Sequence, residues 1–310
     1  MNILVTGGAG FIGSHVVDAY IEAGHSVFII DDLSTGQREN INPKAHFFQI
    51  DIRSSEIESI FKMYPIEIVN HHAAQMDVRK SVAEPQFDAS VNIVGMLNLM
   101  ENAIRNGVKK VIFSSTGGAI YGEQDYFPAD EDHPTCPLSP YGIAKLATEK
   151  YLYYYGEVYG LPSIILRYAN IYGPRQNPYG EAGVIAIFTD KLLRGEQPVI
   201  NGDGRQTRDY VYVGDVVEAN VLALTCQNSE IFNIGTGIET DVNTLYAYVQ
   251  AAVGSHMPEI HGQAKKGEQL RSVISSKKIE RLLGWKPSVA VREGILITAN
   301  SFQSRLSRPT

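Results

Sequence analysis

The chain has 310 residues, 44% hydrophobic and 20% charged, with a net charge of −7. Such a length and apolar content bury a large core in one large domain or two coupled ones and exclude a disordered chain, while the acidic balance argues against nucleic acid or an anionic membrane as the main partner. Cys136 and Cys226 give neither a disulfide framework nor a metal site by spacing, no run approaches 18 apolar residues, and Met1 leads straight into a strand; the expectation is a cytoplasmic protein without a metal.

Met1 to Thr6 is a short β-prone run, and Gly7-Gly8-Ala9-Gly10-Phe11-Ile12-Gly13 separates it from a helical pattern over Ser14 to Glu22. Strand, glycine turn and helix in that order let the backbone approach a pyrophosphate and aim the helix N-terminus at its charge. Gly7, Gly10, Phe11, Ile12 and Gly13 are therefore candidate cofactor-binding residues. A second apolar strand, Ser26 to Ile30, ends at Asp31, 18 residues after Gly13. A carboxylate there can accept both ribose hydroxyls of NAD and would repel a 2′-phosphate, so NAD is expected over NADP, with Arg38 arguing the other way.

Leu33 to Pro43 is polar and reads as a loop, and His46 to Ile50 as the third strand. Asp51 at its carboxyl end can meet an adenine amino group, and Ile52 can pack on the ring. Ile66 to His71 reads as the fourth strand, followed by Ala73, Ala74 and Gln75, where small residues let a flat cofactor lie against the backbone. His71 and His72 invite an acid or base role, but neighbours on a strand point to opposite faces, and the structural reading is favoured. A helix over Pro85 to Gly107 carries Val91, Val94, Leu97, Met100 and Ile104 at helical spacing, with Asn92 inside it. Lys109 to Phe113 is a fifth strand. The alternation predicts an α/β, Rossmann-type doubly wound parallel sheet.

Ser114-Ser115-Thr116 leaves the carboxyl end of that fifth strand, and any of the three hydroxyls can bind a substrate oxygen. An acidic, proline-containing loop runs from Glu123 to Pro137, and a long helix from Pro140 to Tyr159 comes next. It opens with Tyr141 and Lys145, four residues apart and so on one face, about 6 Å apart along the axis. Ionising a free tyrosine at pH 7 requires roughly 4 kcal/mol of preferential stabilisation. One cation about 4 Å away supplies about that much at an effective dielectric of 20. Burial opposes the anion, so a second positive charge such as an oxidised nicotinamide ring would help hold Tyr141 as a base. Tyr151, Tyr153, Tyr154 and Tyr155 further along read as a mixture of core and subunit contact.

The glycine turn, Ser114-Ser115-Thr116, Tyr121-Gly122, Tyr141-xxx-Lys145 and Leu166-Arg167-Tyr168-Ala169-Asn170-Ile171-Tyr172-Gly173-Pro174 together resemble an extended short-chain dehydrogenase/reductase. Within that superfamily the chain is most similar to the UDP-glucose 4-epimerases and their UDP-sugar relatives, and the resemblance runs on to Asn233-Ile234-Gly235-Thr236-Gly237 and Leu283-Gly284-Trp285. It implies that Tyr141 is the acid/base, that Lys145 binds the nicotinamide ribose and lowers the Tyr141 pKa, and that Thr116 is the third member. The loop has one residue more than the usual pattern before Tyr121-Gly122, so Ser115 remains an alternative. Ser114, Asn92 and Tyr168 belong to the cofactor side, and Asn170 to the sugar diphosphate.

In the second half the resemblance places Arg208 on the diphosphate, Val184 and Asn201 beside the uracil, Lys265 on phosphate and Glu268 on ribose. A small residue at Ser272 would leave room for an N-acetyl group. The implied layout is a Rossmann domain over 1–170 with a return near 209–236, and a smaller α/β nucleotide-sugar domain over 171–208 and 237–310. The implied activity is isomerase chemistry in galactose and nucleotide-sugar metabolism: NAD-dependent 4-epimerisation of a UDP-hexose through a 4-keto intermediate, in a homodimer using helices 85–107 and 140–159. A dehydratase would carry an Asp-Glu pair where Gly117-Gly118 stands, a decarboxylase a glutamate near that point, and a reducing 3,5-epimerase a Cys with a His, whereas Cys136 lies outside the match. A non-catalytic NAD-binding scaffold is the alternative from another class, and such proteins can dispense with the tyrosine or lysine that this chain keeps.

Overall fold

The computed structural model describes residues 1–179, 183–264 and 269–307. The first half runs β1 (Asn2–Thr6), α1 (Phe11–Glu22), β2 (Ser26–Ile30), β3 (His46–Phe48), α2 (Ile57–Met63), β4 (Ile68–His71), α3 (Val78–Ala83), α4 (Pro85–Ala89), a π turn (Ser90–Gly95), α5 (Met96–Arg105), β5 (Lys110–Thr116), α6 (Gly117–Ile120) and α7 (Pro140–Tyr159). The second half continues with β6 (Ser163–Tyr168), β7 (Asn170–Tyr172), α8 (Val184–Leu193), β8 (Ile200–Asn201), β9 (Thr207–Tyr212), α9 (Val213–Ala223), β10 (Glu230–Ile234), β11 (Glu239–Asp241), α10 (Val242–Val253), β12 (His261–Gly262), β13 (Arg271–Ser272), α11 (Lys277–Leu283) and α12 (Val291–Leu306).

The chain divides into two compact units, the first made of Met1–Gly122, Thr135–Arg167 and Val217–Phe232. Its sheet has seven strands in the order β10-β6-β5-β4-β1-β2-β3. β1 pairs in parallel with β2, Asn2 opposite Ser26, and with β4, Ile3 opposite Ile68. The near-continuous apolar runs of these strands suit a sheet covered on both faces, and Leu4, Ile30, Val69 and Val111 are buried in the core. Strand order reverses at β1, which makes the gap between the carboxyl ends of β1 and β4 the switch point where such sheets bind ligands.

The second unit comprises Glu123–Pro134, Tyr168–Val216 and Asn233–Thr310. It holds a sheet in which β9 pairs with β7, β11 and β13, and a core where Ile185 and Phe188 of α8, Leu245 and Tyr246 of α10 and Ile295 of α12 pack together. The return of the chain to the first unit thus begins at Val217, where the sequence reading puts 209. The difference has a physical cause: β9 completes its hydrogen bonding with strands of the second unit, Asn170 opposite Tyr210 and Glu239 opposite Asp209.

The expected helix over 85–107 is broken by the π turn, and its buried face is rotated. Val94 is exposed, while Met96, Leu99, Met100 and Ala103 are buried. Two other buried positions on that face carry Asn92 and Gly95, which apolar spacing does not count; a Cβ on Gly95 would lie 2.8 Å from Ile52 Cδ1. The π turn inserts one residue and shifts the helical phase of α5 relative to α4. Leu99→Ala is expected to cost about 2–5 kcal/mol and Val94→Ala less than about 0.5 kcal/mol in urea unfolding; equal costs would return the buried face to Val94.

Candidate active site

The glycine turn closes on itself and on the next strand. Gly7 has φ +70°, and a Cβ on it would stand 2.7 Å from Ala73 N; a Cβ on Gly13 would stand 2.3 Å from the Gly7 carbonyl oxygen. No side chain caps α1 at Gly10 and its first turn has no acidic residue, so its N–H groups face no built-in carboxylate. Free N–H groups at a helix N-terminus, with no carboxylate of the helix's own first turn beside them, suit the charge of a pyrophosphate. Phe11 and Ile12 form the first residues of α1.

Asp31 is buried at the end of β2, where Ala9 N donates to Oδ2 at 3.0 Å and Leu33 N to Oδ1 at 2.8 Å. Burial raises its pKa, and these two donors work against the rise. Arg38 is turned elsewhere, its Nη2 donating to Gln49 Oε1 at 2.8 Å, so the feature that argued for NADP is spent on a neighbouring loop. Asp51 pairs with Arg53, and Ile52 is buried in the core against Gly95.

At the far end of β5 the three hydroxyl candidates separate. Ser114 contributes its carbonyl, which accepts from Lys145 Nζ at 2.8 Å. Ser115 Oγ donates to Glu149 Oε1 at 2.6 Å, deep in the core, so its proton is committed. Thr116 is half-buried and its Oγ1 accepts from Ala119 N at 3.2 Å, capping α6 and leaving its own proton to give. The geometry favours Thr116 over Ser115 for a contact to ligand.

Ser139 and Pro140 start α7, the serine hydroxyl accepting from Gly142 N at 3.1 Å. The start places Tyr141 and Lys145 one turn apart, with Lys145 Nζ 5.8 Å from the Tyr141 ring centroid and 4.8 Å from that of Phe113. Lys145 is only 4% exposed, and burial pulls its ammonium down to about 8, with Asp88 and Glu149 opposing the fall. It is charged at pH 7. Burial, then the charge of Asp88, pushes the half-buried Tyr141 phenol well above the ordinary range. A cation about 6 Å away supplies about 3 kcal/mol at an effective dielectric of 20. That falls short of the roughly 4 kcal/mol required before burial is counted, so in this state Tyr141 is a neutral phenol.

Sequence reasoning misses Asp88 and Glu149 as site residues. Each sits four residues from one that it finds, Asp88 before Asn92 and Glu149 after Lys145, and the shared helical face is the available signal. Asp88 is 1% exposed, and its Oδ1 accepts from Gln75 Nε2 and Asn92 Nδ2, both at 3.0 Å. Burial raises its carboxyl. Asn92 lies in the π turn and exchanges two 2.9 Å bonds with the Gln75 backbone, while Ala73 N donates to Thr6 Oγ1 at 3.2 Å. The segment containing Ala73, Ala74 and Gln75 is thereby pinned beside the glycine turn. π turns of this kind recur at functional sites.

In the second unit, Arg208 is half-buried on β9, and Nη1 donates to the Thr207 carbonyl at 2.8 Å. The two nearby carboxylates in sequence are engaged otherwise. Asp209 accepts from Thr236 N and Oγ1 and Gly237 N, and Asp215 from Ser288 N and Oγ. In the same unit Asn170 is exposed at the start of β7, Tyr168 is buried, Val184 opens α8, Asn201 ends β8 and Ser272 is buried in β13. Lys265 and Glu268 lie outside the described residues. Among the described residues no group of His, Cys, Asp and Glu is placed to hold a metal, and no helix is long and apolar enough to cross a membrane.

His71 shares a 2.7 Å hydrogen bond with Thr6 Oγ1, and burial, then the Lys145 charge, lowers both His71 and His72 to about 3. Both are neutral at pH 7. Because the unfolded values lie near 6.5, the unfolded chain binds more protons between about pH 3 and 6.5, and stability is lost as pH falls through that window. Each imidazole contributes about 1.4 kcal/mol per pH unit near pH 5. His72→Phe should flatten the dependence of urea-unfolding free energy on pH between about 4 and 6 by about one proton's slope; an unchanged slope would show His72 to be accessible and normal. Gly13→Ala, whose Cβ meets the Gly7 carbonyl, should lose bound NAD on gel filtration while wild type retains it; full retention would separate the turn from the cofactor.

A family model described as the NAD dependent epimerase/dehydratase family matches residues 3–235. Among curated proteins, the UDP-glucose 4-epimerase of Mycolicibacterium smegmatis is 43% identical over 98% of this chain and 99% of its own length. Two solved structures are similar over nearly all of both chains. The UDP-glucose 4-epimerase of Thermotoga maritima, solved with UDP-glucose, is 51% identical with a TM-score of 0.97, covering 99% of this chain and 100% of its own. The UDP-glucose 4-epimerase of Thermus thermophilus, solved with NAD, is 44% identical with a TM-score of 0.93, covering 98% and 99%. With a glycine cradle shaped for a dinucleotide, a tyrosine and lysine one turn apart, and these matches, the chain belongs to the NAD dependent epimerase/dehydratase family.

Proposed function

We propose that this chain catalyses the NAD-dependent 4-epimerisation of a UDP-hexose, interconverting UDP-glucose and UDP-galactose through a 4-keto sugar. The carrying observation is Tyr141 and Lys145 one turn apart on α7, with Thr116 at the end of β5, in the unit that holds the glycine turn. The turn Gly7 to Gly13 holds the pyrophosphate and Asp31 the adenosine ribose; Asp51, Ile52, Ala73, Ala74, Gln75, Asn92, Ser114 and Tyr168 complete the cofactor side. NAD, when bound, supplies a ring carbon that takes hydride from the sugar C4 and gives it back, together with a positive charge while oxidised.

Tyr141 removes the proton of the hexose 4-hydroxyl as the ketone forms and returns it as the alcohol is remade with the opposite configuration. Lys145 holds the nicotinamide ribose and keeps a positive charge beside the phenol. Thr116 donates its hydroxyl proton to the same sugar oxygen, orienting it toward Tyr141. Arg208 holds the diphosphate, for which its fork of donors is suited, and keeps the nucleotide in place while the sugar turns. Asn170 contacts the diphosphate, and Val184 and Asn201 frame the uracil, with Lys265 on phosphate and Glu268 on ribose. Small Ser272 leaves room for an N-acetyl group.

The reading includes a cytoplasmic homodimer. Exposed Tyr151, Tyr153, Tyr154 and Val158 on α7 supply apolar surface for the subunit contact, and Tyr155 is core. Sedimentation at working concentration tests that assembly.

Tyr141→Phe should keep NAD yet convert UDP-galactose about 10² to 10⁴ times more slowly than wild type; turnover within tenfold would take the proton transfer away from Tyr141. Arg208→Leu should raise KM for UDP-galactose about 10- to 100-fold, the loss of charge-assisted bonds to phosphate, and an unchanged KM would place the diphosphate elsewhere. UDP-GlcNAc and UDP-GalNAc, assayed alongside, decide the range of sugars.

A further inference from the structure

The hydroxyl assigned to substrate stands on a weak support. Thr116 is followed by Gly117 and Gly118, and these begin a helix of four residues, Gly117–Ile120. Glycine loses more backbone freedom on ordering than any other residue, and one helical turn does not stabilise itself. A hydroxyl that must meet a sugar oxygen within a few tenths of an ångström needs to be held from outside.

Four buried side chains do this, gripping both ends of the turn. Before it, Ser115 Oγ donates to Glu149 Oε1 at 2.6 Å. After it, the Tyr121 hydroxyl accepts from Arg167 Nη1 at 3.0 Å. Arg167 and Glu149 are joined by two further bonds, Nε to Oε1 at 3.0 Å and Nη2 to Oε2 at 2.7 Å. Arg167 is 4% exposed, Glu149 and Ser115 are 3%, and Tyr121 is 1%. A continuous path therefore runs from the residue before Thr116, through α7 and β6, to the residue that ends the turn.

A buried ion pair is weak grounds for stability, because desolvating two charges offsets most of their attraction. What a bidentate guanidinium–carboxylate pair does supply is fixed geometry. We propose that Glu149, Arg167, Tyr121 and Ser115 form a clamp of positioning residues that sets the place of the Thr116 hydroxyl in the epimerisation. The proposal rests on the assignment of Thr116 made under Proposed function.

The test is the double variant Ser115→Ala/Tyr121→Phe, which opens both grips and leaves the ion pair intact. Amide hydrogen exchange of residues 116–121 should quicken at least about tenfold. With UDP-galactose, kcat should fall about 10- to 100-fold and KM stay within about twofold, at temperatures well below unfolding. Unaltered exchange overturns the clamp. Faster exchange with unaltered kcat overturns its part in the reaction, as does a loss of kcat that only tracks loss of folded protein on thermal melting. Exchange is read without substrate, so a wild type that turns over no UDP-hexose would count against the epimerase reading separately. Should the double variant not fold, Tyr121→Phe alone, which removes one hydroxyl, carries the same expectation at smaller amplitude.

Discussion

The ammonium of Lys145 is the constraint around which the first unit is arranged. A charge at 4% exposure forfeits several kcal/mol of hydration, which its surroundings must offset. The replacement comes from three directions. The Ser114 carbonyl accepts at 2.8 Å, the Phe113 ring lies 4.8 Å away, and the charges of Asp88 and Glu149 favour the protonated form. These groups come from β5, α4 and α7, so satisfying one cation fixes the end of β5 against the start of α7. The absent side chain of Gly142 serves the same packing, since a Cβ there would stand 2.8 Å from the Ala119 carbonyl oxygen.

The same charges set the protonation of Tyr141. Asp88, which supports Lys145, also opposes ionisation of Tyr141, and burial opposes it further. The protein's own groups therefore leave the phenol protonated, and its basic form depends on positive charge that accompanies an oxidised cofactor. In the proposed epimerisation, that would tie acid–base chemistry at Tyr141 to the charge of the cofactor. His71 and His72, pressed neutral beside the same ammonium, add no competing charge at pH 7.

In the second unit the carboxylates that neighbour the Arg208 guanidinium are engaged elsewhere. Asp209 ties the Thr236-Gly237 turn and Asp215 ties Ser288, so Arg208 keeps the capacity to meet an anion. An acidic protein can bind a doubly charged nucleotide by this means without a basic surface.

Signals local in the chain were legible from the residues alone. The sequence by itself determined β1, the glycine turn, β2 to the residue, the limits of α7 and the four-residue spacing of Tyr141 and Lys145. Each of these follows from φ preferences, caps and periodicity within a few residues. Tertiary structure decided what depends on distance between remote residues. Ser115 is committed by a glutamate 34 positions away, and Arg208 is left without either neighbouring carboxylate. The π turn rotated a helix face because Asn92 and Gly95 are buried for reasons that no hydrophobic period contains. Asp88 came into the site by the same route: its effect is a Coulomb field across packed helices, and only the packing sets how far that field reaches.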